Sequence, residues 1–570
     1  MSSSFDIPLV AFRNRCLDIS ALGTECRFRL VDCERFLHDQ VLQVTEFSDV
    51  PPVDYSTISY PWRGNECNAT SLSVGGTFSV AGAEDGDPVS MDVLMHACTF
   101  SSTSLGVRYL WLDRVCIMQT NPQDKHWQIR RMYRIYKECK ACIVLPGGLG
   151  RLVRLDEETA WIHRGWTLQE ALAPDKVDVL FAWKAGSGTF VSADHSGVLS
   201  EVVAKQSARA PLRDLIQASA VGYMLFSCNS MQVSRFPVQV RIFGSSTPNA
   251  RALAGLLSED LAADDEIRDH AIWKSAFQRT SSRPVDMVYS IMGLFGISLD
   301  PGAFHNDDRA GATIALAREI VNSGRCASWL GIAFRVPPSK DLSTFPIFPM
   351  TSVQGSAMIL VEDVTLDVAG LVDDEYPNTL GLCMGMPRGT MDGHGYLNFT
   401  AKSISVVRVH PKANEDPSTT RQILALNNTI WEEDEEIAKG NGESSSLPIT
   451  YAVVLGWFDE YHPGATVMDN PAKIKLMIVE EHGSGQFHLV TYAAVDYRLR
   501  GWVKTWINRQ FCLGGPAAAS NHGSDQSMEP NRNCNTARWN ALESPSNRDI
   551  QATLARWAAP QEALESLISR

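Results

Sequence analysis

The sequence predicts an α/β protein: a parallel-sheet domain with covering helices, followed by a mostly helical region and a β-rich C-terminal domain. Three observations lead there. Between residues 55 and 183, short apolar runs alternate with helical stretches, the strand–helix–strand rhythm of a parallel sheet. Residues 205–335 read as mostly helical, most clearly at Arg251 to Leu261 and Thr313 to Val321. From about 340 to 510 the texture changes to short β-type runs such as Met358-Ile359-Leu360-Val361 and Tyr451-Ala452-Val453-Val454-Leu455, separated by turn residues. The expected division is therefore 1–200, 201–338, 339–513, and a tail at 514–570 made of a flexible linker and a terminal amphipathic helix, Ile550 to Leu567.

Each element of the first region has its own signal. A strand is expected around Phe28-Arg29-Leu30-Val31. Pro51-Pro52 precedes Tyr55-Ser56-Thr57-Ile58-Ser59-Tyr60, a β-type run that leaves through Pro61-Trp62-Arg63-Gly64. Met91, Leu94, Met95 and Cys98 at helical spacing predict a helix over 90–105. Val107 to Leu112 is almost continuously apolar and closes on Asp113, as a strand buried on both faces would. Ile129, Met132, Tyr133 and Tyr136 form the apolar stripe of a helix over Pro122 to Lys140, with Arg130, Arg131, Arg134 and Lys137 on its solvated face. Cys142-Ile143-Val144-Leu145 is the next strand, stopped by Pro146-Gly147-Gly148. A helix then ends near Leu172, and Val177 to Trp183 is one more strand.

Composition narrows the function classes. The chain has 570 residues, enough for two to four domains, and its 44% hydrophobic and 20% charged residues are ordinary for a globular protein. A net charge of −14 argues against a broad nucleic-acid surface. No apolar run reaches the length needed to span a bilayer, and the first residues lack the features of a signal peptide, so a cytoplasmic or nuclear location is expected. Thirteen scattered cysteines do not form a disulfide framework, and the lone Cys139-Lys140-Ala141-Cys142 is weak as a zinc motif, so no metal or cofactor is expected. Zincin, P-loop and nucleophile-elbow motifs are absent.

Ligands of open parallel sheets gather outside the carboxyl ends of the strands. The Ser59 to Arg63 turn, Asp113 and the Pro146-Gly147-Gly148 turn all fall at that edge, and Glu170 follows half a helix later. Each has an ordinary structural use: Asp113 as a turn cap, Arg63 as a surface residue, the glycines for backbone freedom. Glu170 has two readings. It either pairs with a donor such as Arg164 and fixes its helix, or faces a cleft and stabilises positive charge on a sugar.

Three blocks resemble the fungal HET (heterokaryon incompatibility) domain family. They are Tyr55 with Ser59 to Gly64; Tyr109 to Gln119 followed by Gln128-Ile129, Met132 and Ile135-Tyr136; and Trp161 with Arg164-Gly165-Trp166-Thr167-Leu168-Gln169-Glu170. Asp286 to Phe295 also resembles a helical segment that often follows the domain. The chain departs from the family pattern by inserting Arg63 between Trp62 and Gly64, and by carrying Met118 where Asp is usual. The resemblance implies a role in self/non-self recognition and programmed cell death. It also implies a distant relation to TIR domains, hence a flavodoxin-like sheet; some TIR domains cleave NAD at the nicotinamide–ribose bond. Trp166-Thr167-Leu168-Gln169-Glu170 is similar to the TIR segment that carries the catalytic carboxylate, which makes Glu170 the candidate catalytic residue. Ser59, Trp62, Arg63, Trp111, Asp113 and Trp166 are the candidate substrate-binding residues, with Trp111 or Trp62 offered as a stacking surface and NAD as substrate rather than cofactor. The other expectation is a non-enzymatic module that acts by self-association, its C-terminal region meeting an unidentified sensor protein.

Overall fold

Strand Tyr55–Ser59 is buried along its whole length, and the first domain is built around it. The computed structural model describes residues 3–515 apart from 68–74, 194, 230–234, 245–247, 258–264, 354, 362, 373–380, 410–420, 435–447, 461–472 and 497–498. Twelve strands form the main sheet: β1 (Ser3–Pro8), β2 (Phe28–Asp32), β3 (Val41–Phe47), β4 (Tyr55–Ser59), β5 (Tyr109–Trp111), β6 (Ala141–Val144), β7 (Val177–Ala182), β8 (Gly188–Ser192), β9 (His195–Val203), β10 (Ser207–Pro211), β11 (Tyr223–Cys228) and β12 (Phe236–Gln239). They lie in the order β1-β3-β2-β5-β4-β6-β7-β10-β9-β8-β11-β12. The four central strands β5, β4, β6 and β7 are mutually parallel, and every flanking pair is antiparallel.

Helices α1 (Met91–Thr99), α2 (Pro122–Lys137) and α3 (Gly165–Leu172) make the three crossovers between the parallel strands. Their starts are chemically marked. The Ser90 hydroxyl accepts the Val93 amide to open α1, and Asn121 accepts the Asp124 amide at 3.0 Å, with Pro122 in the first turn of α2. Alternation along β4 sends Tyr55, Thr57 and Ser59 to one face of the sheet and Ser56 to the other. On the first face Tyr55 donates to the Ile135 carbonyl of α2, and Ser59 bonds Glu170 of α3. On the second, Ser56 meets Ser101, in the turn that follows α1.

The predicted strands and helices between residues 28 and 183 are present, with ends moved by a few residues. The region after 200 differs from its expectation. Strand β10 leads into helix α4 (Leu212–Val221), and strands β11 and β12 follow it before the helices Pro248–Leu256, Asp265–Phe277, α5 (Asp286–Met292) and Arg309–Asn322. Ser207-Ala208-Arg209-Ala210-Pro211 has little intrinsic β character. It forms a strand because the open edge of β7 supplies hydrogen-bond partners. In β11 the buried Met224, Phe226 and Cys228 alternate with more exposed residues, a period-two signal that the general helical texture hid.

The β-rich C-terminal expectation holds. A nine-stranded sheet closes on itself through the long strand Leu397–Val409, which pairs with Thr450–Glu460, Ile430–Glu433 and Ile507–Leu513. Its second core contains Val406, Ile474, Leu476, Trp502 and Trp506. The acidic run beginning at Glu432 continues from this sheet into 435–447, outside the described residues. The chain divides into Met1–Ala518 and Ala519–Arg570. The expected linker and terminal helix lie almost wholly outside the described residues. No helix among the described residues is long and apolar enough to cross a membrane.

A buried ion network ties the antiparallel flank to the parallel core. Arg29 of β2 is fully buried and reaches Glu46 of β3 and Asp124 of α2, both at 3.0 Å. The backbone amides of Thr24 and Met118 complete those carboxylates at 2.7 and 2.9 Å. Met118, the departure from the family pattern, is itself buried with its sulfur 3.0 Å from Arg29. Arg29→Ala would leave two buried carboxylates uncompensated. It is expected to destabilise the protein by about 3–5 kcal/mol in denaturant unfolding, far more than loss of an exposed ion pair.

Candidate functional site

Ser59 ends β4 with no solvent exposure, so its hydroxyl must be satisfied internally. It lies 2.8 Å from the Trp161 indole nitrogen and 2.5 Å from Oε2 of Glu170. Trp161 begins a single 3-10 turn, Trp161–His163, immediately before α3. The Thr167 hydroxyl braces that turn by reaching the carbonyls of Trp161 and Arg164 at 2.9 and 2.7 Å. From behind, fully buried Arg279 donates to the Arg164 carbonyl and to the Thr167 hydroxyl at 3.0 and 2.8 Å. Helix α5 packs along α3, where a side chain on Gly165 would meet the Met287 sulfur at 3.0 Å.

Glu170 is half-buried, and its carboxyl is pushed up to about 8. Desolvation is the main cause. Repulsion from Asp113 adds to it, while bonds from Ser59 and Tyr136 and the field of Arg164 oppose it. The ion pair with Arg164 offered by the structural reading does not form. Arg164 instead donates to the carbonyls of Ser352 and Val353 at 3.2 and 2.9 Å.

Asp113 opens the loop after β5 and binds two aromatic residues of the loop after β4. Its carboxylate accepts the Tyr60 hydroxyl and, at 2.7 Å, the Trp62 indole N–H. Burial raises this carboxyl as well. Arg114 beside it is fully buried and committed to the carbonyls of Asp87 and Ala83. The loops after β4 and β6 meet backbone to backbone. The Asn65 amide donates to the Gly147 carbonyl at 2.9 Å, and Gly148, with φ +86°, approaches the Gly64 backbone.

The structure thus brings Ser59, Trp62, Asp113 and Glu170 to one sheet edge, together with the Gly147-Gly148 turn. Arg63 is exposed, its Nε donating to the Asp85 carbonyl at 2.7 Å. Trp111 is fully buried and edge-on to Tyr136, which leaves no face of its ring open for stacking. Trp166 is half-buried and hydrogen-bonded to Asp286. Sequence reasoning gave no role to Tyr60, Trp161, Tyr136 or Arg279. The first three stand inside the quoted blocks, so their signal was present. Arg279 lies more than a hundred residues from its partners, and no local pattern marks it. Cys139 and Cys142 are buried, and burial pushes the Cys139 thiol up to about 12, away from the thiolate that a metal needs. Among the described residues no group of three or more His, Cys, Asp or Glu could hold a metal ion.

Residues 55–151 match the family model described as heterokaryon incompatibility protein (HET). The matched span holds β4, β5 and β6 and stops ahead of Trp161 and Glu170, so the HET domain match contains Ser59 and Asp113 but not the helix that bears the carboxyl. The chain is also 22% identical over 262 residues to the vegetative incompatibility protein HET-E-1 of Podospora anserina, which covers 44% of this chain and 15% of that protein. No solved structure matches the chain.

A Cβ at position 64 would stand 1.9 Å from the Gly147 carbonyl oxygen. Gly64→Ala is therefore expected to force the two HET-domain turns apart and to cost about 1–3 kcal/mol, read as a lower denaturant midpoint. The raised Glu170 carboxyl has a pH signature. It keeps its proton in the folded state up to about 8, against 4.5 in its ordinary state. Its contribution to stability is full below the lower value, declines as pH rises, and is gone above the higher one. The stability of the wild type relative to Glu170→Gln is expected to fall as pH rises from about 5 to about 8. A difference that stays flat across that range would mean the carboxyl is ordinary.

Proposed function

We propose that the protein is a soluble cytoplasmic effector of heterokaryon incompatibility and the cell death that accompanies it. Its N-terminal domain would act by hydrolysing NAD or a related nucleotide at the nicotinamide–ribose bond. The HET match and the likeness to HET-E-1 support the role in incompatibility. One observation carries the second: a half-buried carboxyl, Glu170, held by a strand-end serine at the carboxyl edge of a parallel sheet. The parallel strands, numbered along the chain, lie in the order second, first, third, fourth. Flavodoxin-like folds share that order and bind ligands where the first and third strands diverge, which supports a TIR-like reading.

The chemistry suits such a site. Water adds to the anomeric carbon as the bond to the pyridinium nitrogen breaks. Nicotinamide leaves as a neutral molecule with the bonding pair, and the water gives up a proton to solvent. The Glu170 carboxylate stabilises the positive charge that develops on the sugar. In the free protein the group is largely protonated near neutrality. A cationic nicotinamide ring beside it favours the ionised form and releases that proton.

The ionised form is the active one, so kcat/KM should rise with pH and level off above about 8, the value of the free carboxyl. Purified full-length protein incubated with NAD should release nicotinamide, and Glu170→Gln should lower the rate about a hundredfold or more while remaining folded. If concentrated wild type and variant are equally inert, the hydrolase reading fails. The HET domain then acts as a self-associating module, and its oligomeric state becomes the measurement to make.

A further inference from the structure

Ser59 has one hydroxyl proton and two lone pairs, and its surroundings decide how they are used. The Trp161 indole N–H can only donate, so the 2.8 Å contact occupies a lone pair of Ser59. Among the described residues, the only other side-chain partner of this hydroxyl is Oε2 of Glu170, at 2.5 Å. The Ser59 hydroxyl donates to that oxygen, so the chain of bonds runs from Trp161 through Ser59 to the carboxyl. Trp161 is fully buried against Phe243, with ring centroids 5.3 Å apart, so its N–H cannot turn to another acceptor without disturbing the core.

We propose that Trp161 is a positioning residue that commits Oε2 of Glu170 as an acceptor from Ser59, leaving Oε1 to carry the proton and to meet the substrate. This rests on the reading of Glu170 as the reacting carboxyl. The ordering of Oε1 and Oε2 stands on the hydrogen-bond chain alone. Tyr136 also acts on the carboxyl, but its hydroxyl already donates to the Ile58 carbonyl at 2.9 Å. The other groups that act on Glu170 or respond to it are Asp113, Tyr60, Cys142, Arg164 and Arg279. All of them are unchanged in the variants below.

The titration of Glu170 can be followed by carboxyl NMR of glutamate-labelled protein, assigned with Glu170→Gln and measured without substrate. Trp161→Phe and Ser59→Ala should each move its midpoint upward by about half to one pH unit, as expected for one lost hydrogen bond to the ionised form. The double variant should match Ser59→Ala. Equal shifts that add in the double variant, or no shift in Trp161→Phe, would overturn the relay. Should Trp161→Phe fail to fold, the indole N–H resonance of Trp161 serves instead. It should track the Glu170 titration in wild type and lose that dependence in Ser59→Ala, and an unresponsive resonance in wild type would overturn the proposal. A linked titration in a protein that releases no nicotinamide would sink the hydrolase reading and leave the relay standing.

Discussion

Strand β4 sets the constraint on which the first domain depends. All five of its residues are buried, yet four of them, Tyr55, Ser56, Thr57 and Ser59, carry hydroxyls. A buried hydroxyl without a partner costs a large part of the stability of a domain, so each must be met by a group from another element. Tyr55 takes a carbonyl of α2, Ser56 takes Ser101 after α1, Thr57 takes the Cys139 sulfur after α2, and Ser59 takes Trp161 and Glu170. The strand thereby fixes the seating of the segments that cover both faces of the sheet. Apolar burial alone would hold those helices against it, but would allow them to slide.

The same constraint places the chemistry. Because Ser59 is the last residue of β4, its partner must come from whatever covers the carboxyl end of the strand, and that is the start of the α3 segment. Glu170 therefore stands at the sheet edge where a ligand would approach. It is held by a hydrogen bond rather than an ion pair, which keeps its proton affinity high. Arg164, the nearest arginine along the chain, is drawn away to the backbone at Ser352 and Val353, and Arg279 braces the turn before α3 without meeting the carboxyl. Residues far along the chain thus keep the carboxyl free of a counter-ion.

Much of this was legible in the sequence, and the limits have identifiable causes. The strands at 55–59 and 141–144 and the helix at 122–137 follow from apolar runs, helical periodicity and capping residues. Asp113, Ser59 and Glu170 were found at one edge because topology rules place strand ends together. Trp111 was misjudged as a stacking surface because an exposed and a buried tryptophan look alike in a run of apolar residues. The strands at 207–211 and 223–228 were hidden among helical segments because their formation depends on an open sheet edge, which is not a local property.

By itself, the sequence determined what neighbours along the chain can settle: period, caps, turn glycines, and the presence of a carboxyl about one turn past a tryptophan. Only the tertiary structure decided which group each buried polar atom meets. Whether Glu170 faces Arg164 or Ser59, and whether Trp161 is filler or donor, depends on where strands from distant parts of the chain come to lie. A hydrogen bond requires two atoms within about 3 Å, and for Ser59 and Glu170 those atoms are separated by 111 residues of chain.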